Sequence, residues 1–230
     1  MKRIARVLVS ASAAAVVLSL GTFASAAEIN WGSVVGQITS PADLNQTGAF
    51  VTALNMGGGQ GTLPVAGTDI TFTDAALTEA VGGGTVNNSF NATYYDPTTG
   101  DLNLDTVLDS HSYVAGNNPD SRARIDLTGL TPGTPYVVQV IGVADIRACC
   151  ADRIQALDDG AGNFSGDLQR GLANFVVGAF TADATTQSFF VSGINDPGLS
   201  GVILRAIPEP GSIAFLALAA GAGLLRRRRA

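Results

Sequence analysis

Apolar and polar residues alternate over short stretches of this chain. Turn residues separate the stretches at intervals of roughly 10 to 15 positions, the rhythm of strands stacked into a sandwich. Ala49 to Leu54, Ile70 to Thr73 and Phe90 to Tyr94 are short and partly alternating, and Arg124 to Thr128 alternates cleanly. Tyr136 to Val143 is a nearly continuous apolar, β-branched run, as expected of a central strand buried on both faces. Arg153 to Leu157, Phe175 to Phe180, Ser188 to Ser192 and Val202 to Ala206 complete the series. Helix is scarce: Pro41 to Leu44, Ala75 to Ala80 and Thr106 to Ser110 are each long enough for a turn or two, and no long face of 3.6-residue period exists. The pattern predicts an all-β domain.

Two segments break the rhythm, one at each end. At the start, Lys2, Arg3 and Arg6 precede an apolar run from Val7 to Leu20, and Ala24-Ser25-Ala26 places small residues where a signal peptidase cuts. That is the layout of a secretory signal peptide, residues 1–26, with cleavage after Ala26. At the other end, Gly211 to Leu225 is an uncharged stretch of 15 residues followed by Arg226, Arg227, Arg228 and Arg229. As a helix it spans about 22 Å against a hydrocarbon core of roughly 30 Å, short for a permanent anchor but long enough to stall in a bilayer. The four arginines would hold its end on the cytoplasmic side. Pro208 and Pro210 keep the approach extended, and Ser212 is placed to cap the helix that follows.

Pro208-Glu209-Pro210, a short apolar helix and a terminal arginine cluster together resemble the PEP-CTERM sorting signal, residues 208–230 here. The resemblance implies an exosortase-type processing protease that recognises Pro208, Glu209 and Pro210 and removes the tail after transient residence in the inner membrane. It therefore implies export to the cell envelope, cell surface or extracellular matrix. The threonine of an LPxTG sortase site is missing from Ile207-Pro208-Glu209-Pro210-Gly211, and the tail does not open on a Gly-Gly pair.

Between the two ends lie residues 27–207, enough for one domain with a real core. Their charge differs from that of the whole chain. Six arginines stand against 18 carboxylates, a net charge of −12. A surface this acidic repels nucleic acid and anionic lipid, so DNA and RNA are set aside as partners.

The segment Leu127 to Tyr136, LTGLTPGTPY, has the turn chemistry of extracellular sandwiches and is similar to a turn of fibronectin type III domains. Gly178 to Asp183 and Gln187 to Val191 look like the closing hairpin of a jelly roll, with Val202 to Arg205 as a last strand. With Trp31-Gly32 and Val143 to Arg153, these segments resemble a group of planctomycete-type PEP-CTERM surface proteins. The expected fold is a jelly-roll-like antiparallel β-sandwich flanked by an N-terminal signal helix and a short C-terminal transmembrane helix.

Candidate chemistry is sparse. His111 is the only histidine, set among turn residues in LDSHS, and reads as a polar loop residue; no G-x-S-x-G elbow accompanies it. The glycine triplets at 57–59 and 82–84 lack the strand–helix setting of a phosphate cradle. No organic cofactor is expected. Calcium suits exposed carboxylate loops, and Asp96 with Asp101, and Asp158 with Asp159, are its weak candidates, although neither loop matches an EF-hand; solvated turns of an acidic secreted protein are the plainer reading. Cys149 and Cys150 are the only cysteines and are adjacent. Export makes a vicinal disulfide available to them, as it does a cross-link between chains, and two free thiols fit the letters equally well. Arg147, Arg153 and Asp145 surround them as a paired charge cluster. The reading that follows is a non-enzymatic, structural or adhesive surface domain. A carbohydrate-binding module that takes extracellular polysaccharide is the alternative, and a polysaccharide-active hydrolase the next.

Overall fold

A computed structural model describes residues 27–116 and 120–208 of the protein. The signal peptide with Ala24 and Ala26, and the tail from Glu209 and Pro210 to the cluster Arg226–Arg229, lie outside the described residues. Among those described, no helix is long and apolar enough to cross a membrane.

The first half of the domain contributes seven strands. These are β1 (Asn30–Trp31), β2 (Val35–Gln37), β3 (Ala49–Asn55), β4 (Leu63–Pro64), β5 (Thr71–Asp74), β6 (Glu79–Val81) and β7 (Thr85–Phe90). A short helix, α1 (Leu102–Leu108), follows. The second half adds β8 (Ser110–Ala115), β9 (Arg122–Thr128), β10 (Pro135–Gly142), β11 (Ile154–Asp158), β12 (Leu168–Gln169), β13 (Asn174–Thr181), β14 (Thr186–Gly193) and β15 (Gly198–Ala206). They form two sheets. The larger runs β1-β13-β10-β15-β3-β5-β4, with β2 on β13, β8 on β15 and β7 on β8; the smaller runs β12-β11-β14-β9-β6. Pairing is antiparallel apart from β3 with β5.

The large sheet is apolar on both faces, because each face covers a separate core. Val138, Val140, Val176, Val202 and Leu204 point to the smaller sheet and meet Ile125, Leu127, Leu157, Phe189 and Val191. The alternate residues Ile141, Phe175 and Ile203 point away, to Leu104, Val107 and Leu108 of α1 and to Ile38, Leu44 and Phe72. Each aliphatic side chain so buried contributes about 1.5–3 kcal/mol. This is why the β10 and β15 stretches read as continuous apolar runs rather than alternating ones. The helix that closes the second core starts at Asp101, whose carboxylate accepts from Leu104 N at 2.8 Å and from Ala66 N at 2.8 Å.

Several expectations are corrected. The supposed closing hairpin does not exist: β13 belongs to the large sheet and β14 to the small one, so the intervening turn carries the chain from one layer to the other. The segment 90–94 turns instead of extending, since Asn91 folds back on Thr93 and Tyr94, and the strand lies earlier, as β7. Part of the 75–80 stretch is β6, held against β9. The helix expected at 106–110 lies over 102–108, and His111 sits in β8 rather than in a loop. Tertiary pairing decides each of these, which local propensity does not see.

Candidate functional site

Three connections converge at one end of the sandwich: the turn after β10, the turn after β12, and the loop joining β14 to β15. In the first, Arg147 O accepts from Cys150 N at 2.8 Å and from Ala151 N at 3.0 Å, which folds residues 147–151 into a tight turn. Cys149 and Cys150 are joined there by a disulfide, with Cys149 exposed and Cys150 buried.

Behind that turn lies a charged cluster. Asp145 is fully buried and accepts three bonds from Arg147: Nε at 2.8 Å, Nη2 at 2.7 Å and the backbone N at 3.2 Å. Arg170, itself 2% exposed, stands 3.8 Å from the same carboxylate. Burial alone would raise the pKa of Asp145, but the hydrogen bonds and charge of Arg147, with Arg170 beyond, hold it below the usual carboxylate range. Burial pushes Arg170 down to about 10, still protonated at neutral pH. His111 lies 3.5 Å from Arg170 and is brought down to about 3, by burial first and the Arg170 charge second, so its ring is neutral. His111 Nδ1 and Arg170 Nε are buried without a hydrogen-bond partner among the described residues. The Arg147 guanidinium covers the Tyr94 ring at 4.4 Å, while Tyr94 bonds Ser89. Tyr94 and Tyr113 lie against the two sides of His111, at 5.1 and 5.5 Å between ring centroids.

The third connection is clamped from both sides. Asp196 accepts from Arg153 Nη1 at 2.5 Å and from Gly116 N at 3.0 Å, and its carbonyl accepts from Arg170 Nη1 at 2.5 Å. Those bonds hold Asn195 and Asp196 at φ of 67° and 61°, a left-handed pair without glycine. Between this loop and the disulfide turn is a cavity of about 380 Å³ lined by Ala148, Cys149, Asp152, Arg153, Ile154, Ile194 and Asn195.

The sequence pointed to Cys149, Cys150, Asp145, Arg147 and Arg153, and the fold brings them together. Arg170, Ile194, Asn195 and Asp196 were missed. The turn residues in IleAsnAspProGly were a visible signal for the loop, but nothing in the sequence pairs Asp196 with an arginine 43 positions away. The calcium candidates are differently engaged. Asp101 caps α1; Asp159 accepts from Ile29 N, Ala161 N and both nitrogens of Asn163, and Asp158 from Gly160 N and Arg122. Asp96 lines a separate surface hollow with Phe90, Leu102 and Asp105. Among the described residues, no group of three or more His, Cys, Asp or Glu side chains is placed to hold a metal ion. Pro208 is exposed two residues past β15.

By sequence the chain matches no family model and no curated protein. By structure it is similar to the ANXUR2 extracellular domain from Arabidopsis thaliana, with 15% identity and a TM-score of 0.52 over 70% of this chain and 49% of that one. It is similar also to the ANX2 ectodomain from the same plant, with 15% identity and a TM-score of 0.52 over 72% and 54%. A third similar structure is that of the plant peptide RALF23 in complex with FER and LLG2, with 13% identity and a TM-score of 0.52 over 75% and 56%. The chain thus spans about half the length of these ectodomain chains. At such identities the likeness is one of fold: an all-β sandwich like those of these extracellular domains.

Proposed function

We propose that the chain is an exported, non-catalytic binding domain that is displayed at the cell surface or in the extracellular matrix, with its site in the cavity beside the Cys149–Cys150 turn. The observation that carries this is the clamped loop. Behind the residues that line the cavity, Asp145, Asp196 and His111 are locked by arginines or by burial into arrangements that hold shape. A wall fixed in this way is suited to gripping a ligand rather than to moving protons. The likeness in fold to the extracellular domains of ANXUR2 and ANX2 supports the same placement outside the cell.

Delivery rests on the PEP-CTERM reading of residues 208–230. Signal peptidase releases the domain after Ala26, the tail lodges in the inner membrane, and an exosortase-type protease acts at Pro208-Glu209-Pro210. Pro208, the last described residue, is exposed beyond the last strand, as a processing handle requires. Intact-mass spectrometry of the protein from the envelope and medium of its native host tests this, with a Pro208→Ala, Pro210→Ala variant beside it. The expected native form starts near Ala27 and lacks the arginine tail, while the variant keeps it. A native form that retains Arg226–Arg229 would overturn the sorting reading.

A further inference from the structure

We infer that the cavity between the Cys149–Cys150 turn and the β14–β15 loop binds a neutral pyranose ring of an extracellular glycan, with the disulfide forming part of the binding wall. The inference rests on the reading of the chain as an extracellular binding domain and names its ligand class. About 380 Å³ falls within the roughly 300–1,000 Å³ of small-molecule sites.

The walls are of two kinds. Ala148, Cys149, Ile154 and Ile194 are apolar, and Ile154 and Ile194 are 45% and 61% exposed. On a domain of net charge −12, two adjacent exposed isoleucines contribute little to folding and stand ready to be covered. The disulfide fits the same purpose. Closing a ring between neighbouring residues removes almost no entropy from the unfolded chain, so its value lies in the shape it fixes. That shape is a stiff turn whose exposed half, Cys149, faces the cavity beside the isoleucines.

The opposite wall is polar and preset. Arg153 Nη1 is spent on Asn195 O and the Asp196 carboxylate, which leaves Nε and Nη2 of the guanidinium fork to donate. Arg153 and its neighbour Asp152 both line the cavity, so a guanidinium donor and a carboxylate acceptor face it together, while Asp196 holds the guanidinium in place. Neighbouring hydroxyls on a sugar ring need that pairing, since one accepts while the other donates. The C–H face of the same ring is apolar and would lie on Ile154, Ile194 and the disulfide. Because Arg170, Arg153 and Gly116 already hold Asn195 and Asp196 in their left-handed conformation, little ordering remains to be done on binding. Asp152 on the rim, and Asp167 in the adjoining hollow that shares Ile154 and Ile194, select against a uronate.

Saturation-transfer NMR on the full exported chain tests this, with methyl β-glucopyranoside, methyl β-galactopyranoside and methyl β-glucuronide as probes. Saturation is expected on the C–H protons of one ring face of a neutral glycoside, with the glucuronide weaker. Ile194→Ser, at a residue exposed enough to leave folding intact, and Asp196→Asn should each weaken binding about tenfold. Reduction of the disulfide should weaken it as well, and Arg124→Gln on β9, outside the cavity lining, should not. Absence of transfer to both neutral glycosides would overturn the ligand class, while the mass spectrum reports surface delivery independently. Binding that survives Ile194→Ser, Asp196→Asn and reduction would place the sugar elsewhere and overturn the site. Stronger binding of the glucuronide would overturn the neutral ring.

Discussion

The side-chain amide of Gln155 exchanges two hydrogen bonds with the backbone of Gly198: Nε2 donates to Gly198 O at 2.7 Å, and Oε1 accepts from Gly198 N at 3.1 Å. Gln155 belongs to the small sheet and Gly198 opens the last strand of the large one, so one buried amide ties the layers together. It does so two residues from Asp196, at the root of the loop that forms the cavity. The glycine is required by close approach, since a Cβ there would lie 2.4 Å from Ser112 O.

Replacing Gln155 by leucine should therefore cost about 2–4 kcal/mol, because a donor and an acceptor of Gly198 are left buried without partners. Urea denaturation checks this through a lower midpoint at an unchanged slope. Gly198→Ala should be at least as damaging. A Gln155→Leu protein as stable as the parent would show that the amide bridge does not join the sheets in solution.

Arg205 carries another long-range tether. It is 1% exposed on the outer core face of β15, donates to Asn45 O at 2.7 Å and Gly48 O at 2.9 Å, and pairs with Asp69. Gln139 pins the same segment, accepting from Asn45 N at 2.6 Å and donating to Asp43 O at 2.8 Å. Arg205→Ala should destabilise the domain by about 3–5 kcal/mol, through two orphaned carbonyls and a lost side-chain volume. Asp69→Asn should shift the midpoint far less, because the Asp69 side chain is 58% exposed and the bonds to Asn45 and Gly48 survive. Equal shifts in the two variants would mean that the ion pair, not the carbonyl bonds, carries Arg205.

The long runs were legible in the sequence because both faces of the large sheet are covered, so that β10, β13 and β15 announce themselves by continuous apolar character. Two-residue strands such as β4 and β12 carry too few positions for a period, and β6 exists because Thr78 and Glu79 to Val81 find β9. The supposed hairpin of β13 and β14 failed for a related reason. A short turn between two alternating stretches looks the same whether they pair or face each other across a core. His111 misled because its neighbours Asp109, Ser110 and Ser112 are turn formers that the fold buries with partners: Asp109 accepts from Tyr95 N and Ser110 donates to Thr106 O. At the site, the contiguous half, residues 145–153, could be read from adjacency alone. Arg170 and Asp196 come from distant segments and became visible only with the fold.

The Cys149–Cys150 disulfide predicts a dissociation between stability and binding. A Cys149→Ser, Cys150→Ser protein should lose less than about 1 kcal/mol in urea, since the ring it opens restrains almost no chain. The loop it releases lies against the Arg147–Asp145 pair, so the 147–151 turn should become the part of the domain that exchanges amide hydrogen faster. Hydrogen-exchange mass spectrometry would show that as faster exchange confined to peptides covering 145–153. Faster exchange spread over both sheets would assign the disulfide to the core instead.

His111 makes the domain sensitive to mild acid. Burial first, then the charge of Arg170 and Arg147, carries its pKa from 6.5 to about 3, against the weaker pull of Asp145 and Asp196 in the other direction. A histidine so depressed contributes its full stability above its unfolded value. As the pH falls below about 6.5, the unfolded chain takes up a proton that the native ring refuses, and stability drops until the pH reaches about 3. At pH 5 the loss should be about 2 kcal/mol relative to neutral pH. Asp145, Asp43 and Asp159, whose pKa values are lowered, lose their contributions only below the ordinary carboxylate value, and Asp109, whose pKa burial raises, acts in the opposite sense above it. Comparison with His111→Gln between pH 7 and 5 therefore isolates the histidine. Urea midpoints should fall across that interval in the parent and stay level in His111→Gln. An equal fall in both proteins would show that the ring is not held neutral in the native state.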